Sequence, residues 1–88
     1  MYIILVYDVE DKKCPKVLKT CRKYLNHIQN SVLEGEVSES QLFRLKSELN
    51  KIISEDNGDS VIIFKTREER WLSREIIGCE RRSTDNVI

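Results

Sequence analysis

The sequence predicts an α+β fold of ferredoxin-like plan, β-α-β-β-α-β with an extra C-terminal strand. Three observations lead there. Two runs, YIILVYD at the start and SVIIFKT from Ser60, are rich in β-branched and aromatic residues, as strands are. Two apolar stripes at helical spacing lie between them. Turn and capping residues separate these runs, and the resulting order of elements is that of the split β-α-β plan.

The elements follow in chain order. Tyr2–Asp8 is apolar on both alternating sets, Tyr2, Ile4, Val6 and Ile3, Leu5, Tyr7, which is the pattern of a central strand covered on both faces. Pro15 suits a first helical position. Val17, Leu18, Cys21, Tyr24, Leu25 and Ile28 then form one apolar stripe, so the first helix is expected to run to about Ile28. The segment IQNSVLEGEV, Ile28 to Val37, reads as extended chain with an interruption near Gly35. Ser38 and Gln41 have the spacing of a capping box. Behind them Leu42, Leu45, Leu49, Ile52 and Ile53 line a second helix, expected to stop near Asn57-Gly58, where both residue types tolerate positive φ. Ser60–Thr66 is a strand, Arg67–Arg70 a turn, and Trp71–Ile77 a last extended piece.

Composition bounds the function. The 88 residues are expected to form a single domain, 1–88, with 79–88 as a C-terminal tail. A chain of this size buries only about 60–65% of its unfolded surface, so pairing with another subunit would help it. Fifteen basic residues balance fifteen acidic ones, which excludes a global field drawing it to nucleic acid and leaves that task to local patches. Cys14, Cys21 and Cys79 form no CxxC and have no zinc-finger spacing. With no secretory segment and no apolar run near the ~20 residues of a membrane span, a cytoplasmic protein with reduced thiols and no membrane partner is expected.

Two places suggest a site. Asp8 ends the first strand on the face of Ile4 and Val6, where a carboxylate is either a turn-former or a functional group at the mouth of the sheet. One carboxylate is a poor Mg²⁺ site, because hard cations want several oxygens. A two-fold dimer removes the objection if the same Asp from each chain meets its mate. The second place is a basic run. Lys12, Lys16, Lys19 and Lys23 recur at intervals of four, three and four, with Lys13 and Arg22 beside them. They form either a solvated helix face or a phosphate-binding ridge beside Asp8 that holds a nucleic-acid backbone without reading bases. His27 has no partner visible in the sequence and is assigned no role.

Taken in order, Tyr7-Asp8-Val9 closing an apolar strand, the basic loop and helix, Ile28-Gln29-Asn30-Ser31-Val32-Leu33-Glu34-Gly35, the strand Val61-Ile62-Ile63-Phe64 and Glu75-Ile76-Ile77-Gly78 resemble the CRISPR-associated Cas-two family across nearly the whole chain. The resemblance implies a ferredoxin-like homodimer whose last strand crosses to the partner's sheet. It implies work with the Cas-one integrase in spacer acquisition, the adaptation step of defence against foreign nucleic acid. It also implies Mg²⁺- or Mn²⁺-dependent endonuclease activity on single-stranded RNA or double-stranded DNA. The family's metal-binding aspartate matches Asp8, one from each subunit. Lys12, Lys13, Lys16, Lys19, Arg22 and Lys23 become the nucleic-acid-binding set, and Tyr7 and Ser31 supporting residues. Ser31 either positions a phosphate or satisfies backbone near a bulge. Two departures stand out: Leu33 replaces the usual Phe, removing an aromatic contact near the cleft, and lysines replace arginines at Lys12, Lys13 and Lys16.

Two other readings fit the same residues. One is a non-catalytic dimeric scaffold that bridges integrase subunits and binds DNA through its basic faces, with Trp71 and Phe43 as interface aromatics. The other is a VapD-type toxin ribonuclease of similar fold, against which the SVLEG segment and the tail with Arg81 and Arg82 argue. Trp71 is expected to anchor the last strand through burial.

Overall fold

The computed structural model describes residues 1–79. Its regular elements are β1 (Tyr2–Asp8), α1 (Cys14–Cys21), β2 (Asn26–Gln29), β3 (Val32–Glu36), α2 (Glu39–Asn50) and β4 (Ser60–Thr66). The sheet order is β2-β3-β1-β4, with every neighbouring pair antiparallel. This is the ferredoxin-like arrangement, with β1 in the middle because it carries the longest continuous apolar run.

Side chains alternate along β1. Ile3, Leu5 and Tyr7 point to the helices and are buried with Val17 and Cys21 of α1, Leu33 of β3, and Leu42, Leu45 and Leu49 of α2. Leu33 is fully buried opposite Leu5, so the position sits in the core and not at a cleft. The second face of β1 is covered only in part in the single chain: Tyr2 is buried, Ile4 and Val6 are half-buried and Asp8 is exposed. Ile4 and Val6 lie on the face away from the helices, beside Phe64 and Ile62 in the register, and these two are 58% and 52% exposed.

The first helix is shorter than its stripe. It ends at Cys21, and a turn through Arg22–Tyr24 brings the amides of Tyr24 and Leu25 onto the Cys21 carbonyl. Leu25 is thereby buried against Gly35, where a Cβ would come within 3.3 Å of the Leu25 side chain. Ile28 belongs to β2. The break between β2 and β3 falls at Asn30, with φ of 43°, and Gly35 lies inside β3 paired to Ile3. Sequence periodicity could not see this, since the packing of Leu25 on Gly35 is a long-range contact.

The capping box is present: the Gln41 amide donates to the Ser38 hydroxyl at 3.1 Å, and the Ser38 amide donates to the Gln41 side chain at 2.9 Å. Such a cap satisfies two otherwise orphaned amides of α2. That helix ends at Asn50, not near Asn57-Gly58. Ile52 and Ile53 still pack on the core, from a turn whose amides donate to the Leu49 carbonyl. Gly58, at φ 78°, instead closes a single 3₁₀ turn over Glu55–Asn57.

Among the described residues no C-terminal strand is paired. After a 3₁₀ turn at Glu69–Trp71 the described chain, through Cys79, enters no ladder. An extended segment needs an edge to pair with, and none of its own chain is engaged there. Trp71 is 66% exposed, with the Arg70 guanidinium 5.4 Å from its ring centre, so it is not the buried anchor expected. Nearly all of the expected tail, including Arg81 and Arg82, lies outside the described residues.

Candidate functional site

Asp8 is the last residue of β1, and its exposed side chain falls on the same face as Ile4 and Val6. The ladder to β4 holds its backbone opposite Ser60, and the Tyr7 amide donates to the Ser31 carbonyl at 3.1 Å. The carboxylate makes no hydrogen bond or ion pair among the described residues. It therefore stands at one end of a partly covered sheet face whose middle is apolar: Ile4, Val6, Ile62 and Phe64.

Tyr7 faces the other way, into the core. Burial pushes its phenol above the ordinary range, the thiols of Cys14 and Cys21 add to this, and a Ser31 hydrogen bond works against it. Its contribution to Asp8 is through backbone placement. Ser31 does the same from just before β3, its carbonyl extending the β1–β3 ladder one step beyond the Val6–Val32 pair.

The basic residues divide into two groups. Lys13 is committed: its ammonium lies 2.5 Å from Asp59 and 3.2 Å from Glu10, and its side chain is mostly buried. Lys23 is held by Glu48, which also accepts from the Tyr24 hydroxyl at 2.5 Å, so that carboxylate is kept below its usual range by the lysine first and the tyrosine second. Lys12 approaches Glu10 only at 3.9 Å. Lys16, Lys19 and Arg22 are exposed and make no ion pair among the described residues. Lys16, Lys19 and Lys23 share one shallow depression with Pro15 and Thr20, and Arg22 borders the next with Pro15, Leu18 and Lys19.

This ridge does not lie beside Asp8. The helix α1 packs on the face of Ile3, Leu5 and Tyr7, while Asp8 points from the opposite face. Within one chain the two features are back to back across the sheet, connected around its edge by the turn carrying Lys12 and Lys13.

Two further groups were not legible as site residues. Asp59, just before β4, has a carboxylate only 1% exposed that accepts from the Glu10 amide, the Ser54 amide and Lys13. In the sequence it reads as an ordinary turn-former after Gly58. Glu34, opposite Ile4 in the ladder and on the same face, is buried and ion-paired with Arg74, which draws the chain after β4 over that part of the face. An acid inside the apolar run VLEG was the available signal.

A divalent hard cation needs oxygen donors, commonly one or two carboxylates with water and phosphate oxygens. Among the described residues no cluster of three or more His, Cys, Asp or Glu could hold a metal ion. At the end of β1 one chain contributes one exposed carboxylate, that of Asp8. Two copies meeting through the exposed part of that face would contribute two, and that donor set fits Mg²⁺ or Mn²⁺. No helix among the described residues is long and apolar enough to cross a membrane.

Residues 1–74 match the family model described as CRISPR associated protein Cas2. A Pyrococcus furiosus protein named CRISPR-associated endoribonuclease Cas2 is 47% identical over 88 residues, covering all of both chains. One of the same name from Fusobacterium nucleatum is 45% identical over 93 residues, covering all of this chain and 87% of its own. Among solved structures, a Cas2 crystal structure superposes with a TM-score of 0.84 at 38% identity, over 92% of this chain and 90% of the other.

Proposed function

Since the chain belongs to the CRISPR-associated Cas2 family, we propose that it is a homodimeric, metal-dependent endonuclease serving CRISPR adaptation together with the Cas-one integrase. The observation that carries this reading is the position of Asp8. An exposed carboxylate ends an apolar sheet face that a second copy would cover, which brings two such carboxylates toward one axis. Names of relatives support a nuclease; RNA and double-stranded DNA both remain within the proposed substrate class.

In this mechanism the chain supplies placement. The β1–β4 ladder fixes the Asp8 backbone at Ser60, the Tyr7–Ser31 hydrogen bond fixes the residue before it, and the carboxylate is left accessible to its mate. The Asp8 carboxylates of two copies would hold Mg²⁺ or Mn²⁺, which when bound would supply charge neutralisation at the phosphate and activation of water. Lys16, Lys19 and Arg22 bind the flanking backbone by charge alone. Cleavage of single-stranded RNA and of duplex DNA, with and without Mg²⁺, by wild type and Asp8→Asn tests the assignment. Loss of cleavage in the variant, with its dimer intact by sedimentation, is expected. Equal cleavage by the mutant would sink it.

A second reading draws on the separation of the ridge from Asp8. Basic surfaces on the outer, helical side of each subunit suit a dimeric scaffold that tracks DNA while bridging integrase subunits. Spacer acquisition restored by Asp8→Asn in cells lacking the gene would favour this reading over the catalytic one.

A further inference from the structure

We propose that Asp59 is the positioning residue of the Asp8 site: its buried carboxylate locks the chain leaving β1 to the chain entering β4, and so fixes the direction in which Asp8 presents its oxygens to a divalent cation. The inference deepens the function proposed above and rests on that reading of Asp8.

The geometry is that of a three-way tie. Oδ1 of Asp59 accepts from the Glu10 amide at 3.1 Å, and Oδ2 accepts from the Ser54 amide at 3.0 Å and from Lys13 Nζ at 2.5 Å. Glu10 lies two residues beyond Asp8, and Asp59 directly precedes Ser60, the residue opposite Asp8 in the ladder. Asp8 is therefore held from both sides, by the ladder across from it and by the Glu10 anchor after it. The Glu10 carboxylate strengthens the same junction, accepting from Asn57 Nδ2 at 2.8 Å.

A carboxylate with three donors and almost no solvent contact cannot let go of one donor without leaving it, or itself, unpaired in a dry place. The loop after β1 is thus kept in one arrangement although Asp8 itself is exposed. A ligand that must meet its symmetry mate benefits from this, because each degree of freedom at the strand end would have to be frozen twice on binding. Residues that orient a metal ligand typically cost about 10–100-fold in metal affinity or activity when changed.

The test is Mn²⁺ binding to the full chain, read from the electron paramagnetic resonance of free Mn²⁺, alongside exchange of the Glu10 amide and dimer mass by sedimentation. In Asp59→Asn, whichever way the amide turns, its NH₂ faces at least one of the three donors: the Glu10 amide, or the Ser54 amide together with Lys13. The expected result is about tenfold weaker Mn²⁺ binding, faster Glu10 exchange and an unchanged dimer. Ser38→Ala, which weakens the distant cap of α2, is the control for general destabilisation and is expected to bind as wild type does. Wild-type affinity in Asp59→Asn despite faster Glu10 exchange overturns the proposal, and so does equal weakening in Ser38→Ala. Should Asp59→Asn not fold, Lys13→Met decides: it keeps both amide donors, and weaker Mn²⁺ binding is expected, unchanged binding being fatal. Asp8→Asn separates the two levels. If that variant binds Mn²⁺ like wild type, the Asp8 reading falls and takes this one with it. If Asp8→Asn alone loses binding, only the role of Asp59 is refuted.

Discussion

The ammonium of Lys13 lies 2.5 Å from the carboxylate of Asp59, joining the turn after β1 to the turn before β4. The lysine's hydrogen bond is the main cause holding Asp59 below the usual carboxylate range, with the Ser54 and Glu10 amides helping against burial, and the same bond raises Lys13 above its ordinary value. For Asp59 the folded pKa lies below the unfolded value, so its stabilisation is complete above about pH 4 and is lost as pH falls through the folded value. For Lys13 the folded pKa lies above the unfolded one. Its share is complete below about pH 10 and is lost as pH rises through the folded value. The melting temperature of Asp59→Asn should fall furthest below wild type on the plateau between these limits. The gap should narrow in acid and in strong base. Melting scans from pH 2 to 11 check this, and a gap independent of pH would deny the pair its ionic character.

The basic ridge predicts a graded salt dependence. Lys16 and Lys19 are exposed and make no ion pair among the described residues, whereas Lys23 is shared with Glu48 and Lys13 with Asp59. Each phosphate contact contributes about 0.9 to the slope of log affinity against log salt on duplex DNA. Replacing both Lys16 and Lys19 by Gln should flatten that slope by about 1.8, two such contacts. Lys13→Met should change it less, because its charge is already spent inside the chain. Fluorescence anisotropy with one labelled duplex from 50 to 300 mM salt (about 1 to 2 Debye lengths per 10 Å) measures both.

Cysteine reactivity should follow burial. Cys21 is wholly buried in the core and its thiol is pushed up to about 12 by desolvation, while Cys79 is exposed. The thiolate is the reacting species. Iodoacetamide at pH 8 should therefore label Cys79 readily and leave Cys21 untouched until the chain unfolds. Peptide mass mapping before and after denaturant gives the answer, and native labelling of Cys21 would mean that the α1 contact with the sheet opens often.

What the sequence disclosed and what it hid divide by the range of the interaction. The Ser38–Gln41 cap is a matter of four adjacent residues and was readable as such. The side of β1 on which Asp8 emerges followed from simple alternation. The end of α1 did not, because Tyr24, Leu25 and Ile28 continue a good helical stripe, whereas in the fold the chain turns after Cys21 and Leu25 packs against Gly35. Nor could composition show that Lys23 finds Glu48 on α2, or that Lys13 finds Asp59, both of which remove charge from a ridge that looks continuous in one dimension. Asp8 and the ridge seemed neighbours along the chain, yet a strand and the helix packed on it put them on opposite sides.

The exposed part of the sheet face that carries Asp8 supplies the last prediction. Ile62 and Phe64 are each more than half exposed, and they flank the half-buried Val6 and Ile4 on the face that Asp8 shares. A contiguous apolar patch on a small chain is costly in water and is what a subunit interface offers. Large aromatic residues near the centre of such an interface commonly contribute about 2 kcal/mol or more, roughly a 30-fold change in dissociation constant. Phe64→Ala should accordingly weaken dimerisation by at least that factor while removing a side chain that is more than half exposed in the single chain, so circular dichroism of the monomer should stay close to that of wild type. Since the proposed metal site is complete only with a second Asp8, the same variant should lose Mn²⁺ binding at concentrations where it is monomeric and regain it where it is driven to associate. Sedimentation and Mn²⁺ binding, followed over one dilution series, must then move together. Binding that persists in the monomer would place the cation elsewhere and leave Asp8 without its mate.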